Sequence, residues 1–67
     1  MTKAQENALK WLIEHTGDGI FDKNGILVAA GEPAPFMRST WNALAAAGKV
    51  EMYKLPGTKG RGRCRVI

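Results

Sequence analysis

The stretch LPGTKGRGRCRVI, residues 55–67, closes the chain and decides how the rest is read. It carries Lys59, Arg61, Arg63 and Arg65, three glycines, one proline and no acid. It is either a floppy basic tail or half of a folded hairpin. Just upstream, VEMYKL alternates Val50, Met52 and Lys54 with Glu51, Tyr53 and Leu55, which is the period of a strand. CRVI at the end is a second apolar run with Arg65 inside it. Between the two, Pro56-Gly57 starts a turn, and the further glycines permit a tight loop. Strand, basic glycine loop and strand make a hairpin. Val66 and Ile67 agree, because a solvated tail has no use for them.

Working outward from that hairpin, FMRSTWNALAAA predicts a helix over residues 36–47. Met37, Trp41, Leu44 and Ala45 share one face, while Arg38, Ser39, Asn42, Ala43 and Ala46 point elsewhere. Pro35 suits the first turn, where no backbone donor is needed. A later start with Ser39 as N-cap is the alternative. Gly48 fits the C-terminal cap, and Lys49 sits at the negative end of the helix dipole. A first helix is predicted over residues 2–15. Thr2 and Gln5 make a capping-box pattern, and Ala8, Leu9, Leu12 and Ile13 form one apolar face. Gly17 is its natural stop.

The middle of the chain has two readings. Asp22-Lys23-Asn24-Gly25 between Ile20-Phe21 and Ile26-Leu27-Val28 predicts a hairpin turn. The rival makes Asp22 an N-cap and residues 23–30 a short helix ended by Gly31. Gly25 and Val28 are poor helix formers and favour the hairpin. Pro33 and Pro35 predict no regular structure around residues 32–35.

With 67 residues the chain is expected to be one domain, residues 1–67. A chain this short buries only about 60% of its unfolded surface. No apolar run approaches the roughly 20 residues of a membrane span, and the start MTKAQENALKWL has no signal-peptide pattern. With a single cysteine, Cys64, this predicts a cytoplasmic protein. Charge is lopsided. Residues 1–34 hold Lys3, Lys10 and Lys23 against Glu6, Glu14, Asp18, Asp22 and Glu32, a balance of −2. Residues 35–67 hold seven cations against Glu51, a balance of +6. A basic half points to a polyanionic partner.

Chemistry finds little support. His15 and Cys64 are the only histidine and cysteine, and a metal site needs several such ligands. Arg63 and Arg65 beside Cys64 would lower its pKa, but a buried strand thiol is the plainer reading. Asp18, Asp22 and Glu32 stand beside turn glycines and are expected to serve turns. No catalytic residue, metal or cofactor is expected, and the chain is read as a binding protein rather than an enzyme.

The order helix, short β element, helix, glycine, strand, basic glycine loop, strand resembles the winged-helix domain, a relative of the helix-turn-helix. The segment Trp41-x-x-Leu44-x-x-x-Gly48-x-Val50-x-x-Tyr53 resembles the end of that family's recognition helix and the start of its first wing strand. The interval from Gly31 to Gly48 is similar to that between the family's turn glycine and cap glycine. Met37 falls where the family places its first buried recognition-helix residue. The sequence departs at the second helix, where it has GILVAAG followed by two prolines.

The resemblance implies an α+β domain of order α-β-α-β-β, its first β element a hairpin or short helix, ending in a basic wing. It implies a DNA-binding protein, a transcriptional regulator or an accessory factor of phage or mobile-element type, with double-stranded DNA as partner. Arg38, Ser39 and Asn42 would then face the groove, since arginine pairs with guanine edges and asparagine with adenine. The wing would carry Lys54, Lys59, Arg61, Arg63 and Arg65, five cations within twelve residues, interleaved with glycines. Residues 59, 61, 63 and 65 would line one side of an extended strand, with charges about 6.6 Å apart. A protein-interaction module and RNA binding through the same wing are the alternatives.

Overall fold

The computed structural model describes residues 1–54, 56 and 61–67. Helix α1 spans Lys3–Glu14 and opens with the expected capping box. Thr2 Oγ1 accepts from the Gln5 backbone N at 3.2 Å, and Gln5 Oε1 accepts from the Thr2 N at 3.1 Å. Ala8 and Leu12 are fully buried and Leu9 packs at the margin, but Ile13, expected on the buried face, is exposed. The helix stops through a left-handed turn at Thr16 (φ +77°) and Gly17 (φ +75°). The Gly17 N donates back to the Leu12 carbonyl at 2.7 Å.

That turn delivers the chain into β1, Asp18–Phe21. The Asp22-Gly25 turn is a hairpin, not the start of a helix. Asp22 Oδ1 accepts from the backbone N of Asn24 (2.8 Å) and of Ile26 (2.9 Å), and Gly25 takes φ +79°. An aspartate that satisfies turn donors in this way leaves no advantage to a helical start. Strand β2, Leu27–Ala29, follows. A second, two-residue turn through Ala30 and Gly31, both at positive φ, leads to β3, Glu32–Pro33. The expectation of no regular structure at residues 32–35 is therefore corrected. Proline lacks a donor but is allowed on an edge strand, and β3 is an edge.

Helix α2 spans Arg38–Ala46, shorter than expected at its start. Met37, not Ser39, is the N-cap, and it makes no side-chain cap bond. Pro35 stays outside the helix. The placement of Met37 in the core is also corrected: it is 74% exposed. Its neighbour Phe36 takes that role, meeting Trp41 edge-on at 5.9 Å between ring centroids. This is a residue just before the cap packing on one in the first full turn, a hydrophobic staple that fixes the chain's entry. At the other end Gly48 (φ +74°) donates to the Ala45 carbonyl and Lys49 to that of Leu44, both at 3.0 Å. These are the paired bonds of a Schellman cap.

Strand β4, Val50–Tyr53, and β5, Arg63–Val66, complete a five-stranded antiparallel sheet of order β3-β2-β1-β5-β4. The domain is α+β, with both helices on one sheet face. Phe21, Leu27, Ala29, Val50 and Cys64 meet Ala8, Leu12, Trp41 and Leu44 there. The last residues thus form a strand and not a tail. That strand lies inside the sheet, beside β1 as well as β4. Gly19 is required where β1 pairs with β2: a Cβ there would lie 2.8 Å from the Val28 carbonyl oxygen. Among the described residues no helix is long and apolar enough to cross a membrane.

Trp41 is 0% exposed and is the largest side chain in the core. Trp41→Ala is expected to cost about 3–5 kcal/mol, a large share of the stability of so small a domain. Urea denaturation checks this; a midpoint within experimental error of the wild type would remove Trp41 from its central place.

Candidate nucleic-acid interface

The cations expected to form a ladder separate into two groups. Arg63 and Arg65 do share one face of β5, as alternate strand residues must. It is the face turned away from the helices, since Cys64 between them is buried in the core. Neither cation is unaccompanied there. Arg63 Nε donates to the Tyr53 hydroxyl at 3.1 Å, and its Nη2 lies 3.5 Å from Asp18 Oδ2. The Tyr53 hydroxyl donates in turn to Asp18 Oδ2 at 2.6 Å. Arg65 Nε and Nη2 contact Glu51 Oε2 at 2.9 and 2.8 Å, and its guanidinium lies 4.5 Å from the Tyr53 ring centroid. The strand register sets Glu51 opposite Arg65 and Tyr53 opposite Arg63, while Asp18, also opposite Arg65, pairs diagonally with Arg63.

Two acids expected to serve turns therefore do something else. Asp18 begins β1 and holds Arg63. Glu32 lies in β3 and meets His15 Nε2 at 2.5 Å. Only Asp22 serves a turn, as expected.

The second group gathers at the end of the sheet where α2 begins. The Arg38 guanidinium lies over the Phe21 ring, 4.0 Å from its centroid. Lys54 is exposed at the end of β4. Among the described residues neither Arg38 nor Lys54 is held in an ion pair. Both border an open hollow of about 140 Å³. Phe21, Met52 and Gly62 line its sides. Arg63 and Tyr53 close it toward the outer face. Ser39 and Asn42 are exposed on α2, and Arg61 is exposed just before β5. Lys59, with the loop glycines at 57 and 60, lies outside the described residues.

Cys64 is buried in the core layer, and burial pushes its thiol up to about 11, with Asp18 acting in the same direction and Arg38 opposing. The flanking arginines do not lower it, because their heads point to the other face. Among the described residues no three His, Cys, Asp or Glu side chains gather as a metal site requires. Comparison with protein-family models, with curated proteins and with solved structures yields no match, so the reading of this surface rests on its geometry.

Phe21 and Met52 are the members that sequence reasoning missed. Phe21 was legible only as a hairpin residue, and its meeting with Arg38 needs the tertiary fold. Glu51 and Tyr53 were within reach as partners, because antiparallel pairing in a hairpin sets them against Arg65 and Arg63, whereas Asp18 comes from β1.

At the far end of the molecule, His15 stacks on Trp11 at 3.9 Å between ring centroids. Its Nδ1 donates to the Trp11 carbonyl at 2.7 Å, while Nε2 faces Glu32. Both partners are acceptors, so only the imidazolium donates to both. The Trp11 carbonyl, against some loss of hydration, and then Glu32 raise the His15 pKa above 6.5. A raised folded-state pKa gives stability that is full below about pH 6.5 and is lost as pH rises through the folded value. The thermal midpoint should therefore fall over that window, and Glu32→Gln should flatten the fall. An equal slope in the variant would assign the titration to another group.

Proposed function

We propose that the chain is a small nucleic-acid-binding domain that docks through the end where α2 and the β4–β5 hairpin meet. The observation that carries this reading is the convergence of Arg38 and Lys54, cations from different elements, with neither held in an ion pair among the described residues. Neutralising phosphates releases counterions, and cations engaged with carboxylates have less to offer. Arg65, held by Glu51, is therefore assigned a structural role, and the resemblance-based ladder shrinks toward the end where β4 finishes and β5 begins. Arg63 stands between the two groups, held by Asp18 but bordering the hollow.

The finer reading keeps the winged-helix manner of docking, with the hairpin on the backbone, Arg38, Ser39 and Asn42 toward a groove, and duplex DNA as the partner. The helix directly before a β-hairpin supports it. The β2–β3 extension stands where that family has a second helix, so the helix approach is set by Phe36 on Trp41 instead.

Fluorescence anisotropy against salt tests the reading. The Arg38→Gln, Lys54→Gln double variant should lower the slope of log K against log salt by about 2, roughly 0.9 per lost phosphate contact. Arg65→Gln should change it less than either single variant. A double variant with the wild-type slope would exclude this end as the contact. Absence of binding even at low salt would transfer the surface to a protein partner.

A further inference from the structure

The hollow beside Arg38 differs from an ordinary surface dimple in one respect. Gly62 stands just before β5, and its carbonyl accepts from the Phe21 N at 2.9 Å. A Cβ at Gly62 would sit 3.6 Å from Phe21 Cδ2, an ordinary contact, and Gly62 is not among the glycines at positive φ. The backbone therefore does not require glycine there. Glycine costs backbone entropy on folding, and its use beside a strand often marks close approach of another group. What it leaves open is a space of about 140 Å³ beside Phe21 and Met52, with Arg38 and Lys54 at its border. Pockets for whole small molecules measure roughly 300–1,000 Å³, so this space suits one planar ring and not an entire nucleotide.

We propose that the hollow receives a single unpaired nucleobase of the bound nucleic acid. The base would lie against Met52 and the Gly62 backbone. It would stack on the Arg38 guanidinium, whose other face is already set over the Phe21 ring. Guanidinium planes and aromatic rings are the groups on which splayed bases stack. The phosphate beside that base would stay outside, within reach of Lys54. The inference rests on the nucleic-acid reading above and adds to it a preference: a duplex with one unpaired base, or a single strand, should bind more tightly than a perfect duplex.

The test compares three labelled probes at one salt concentration: a perfect duplex, the same duplex with one unpaired thymine, and a single strand supplied as DNA and as RNA. The unpaired base should raise affinity roughly tenfold, the scale of one stacked base. Gly62→Ala should reduce that preference and Gly62→Val should abolish it. If the valine variant proves unfolded by circular dichroism, the alanine variant decides. The Met52 methyl resonance gives an independent readout on the wild-type chain, and it should shift with the unpaired-base probe alone. Equal affinity for paired and unpaired probes, or a preference that survives Gly62→Ala with a stationary Met52 methyl, would overturn the inference while leaving the nucleic-acid reading in place. Failure of every probe to bind would overturn both. The DNA and RNA strands separate the two sources of the same base chemistry.

Discussion

Cys64 stands opposite Gly19 on one side and Met52 on the other, with its side chain fully buried under the helices. That position holds β5 between β1 and β4, and the rest of the fold follows from it. Each helix ends in a left-handed turn and runs directly into a strand that flanks β5: α1 through Thr16 and Gly17 into β1, α2 through Gly48 and Lys49 into β4. The end of β5 is then clamped from both sides. The Val66 N donates to the Gly17 carbonyl at 2.8 Å, and the Ile67 N to the Lys49 carbonyl at 3.3 Å. Without β5 the two halves of the sheet would share no ladder, and the helices would lack the apolar floor that Cys64 completes. Such non-local pairing costs chain entropy before it returns contacts, so it is expected to form late in folding.

The seat of β5 also organises the charges. An interior strand has a neighbour on each side, and its outward residues meet partners from both. Arg63 and Arg65 find Asp18 from β1 and Glu51 and Tyr53 from β4. The outer sheet face thus becomes a network of ion pairs. Partly exposed pairs of this kind add little stability each, but they engage charge that would otherwise face a ligand. Among the described residues, the end where β4 finishes and β5 begins sets the cations Arg38 and Lys54 beside the apolar Phe21 and Met52.

Much of this was legible in the residues. Helical periodicity and the Thr2–Gln5 box located α1, the Asp22-Gly25 turn located the first hairpin, and Val66-Ile67 turned a seeming tail into a strand. What was not legible depended on neighbours distant in the chain. Pro33 reads as a breaker until it is seen to occupy an edge, where a missing donor is harmless. Met37 shares the helical face of Trp41 on paper, but the helix begins one residue later and Phe36 fills the space. The arginine ladder reads as uniform because alternation gives its facing but not its partners. Arg38 over Phe21 joins residues from two elements that only the sheet's packing on α2 brings together.

An amide NMR titration with a mixed-sequence DNA duplex, at low and at moderate salt, decides whether the end holding Arg38 and Lys54 is the docking surface. This reading predicts shifts confined to residues 38–42, 53–54 and 61–63 that fade as salt rises. It predicts little change around His15 and Gly48 at the opposite end. Shifts centred on Glu51 and Arg65 of the outer face, or none even at low salt, would contradict it.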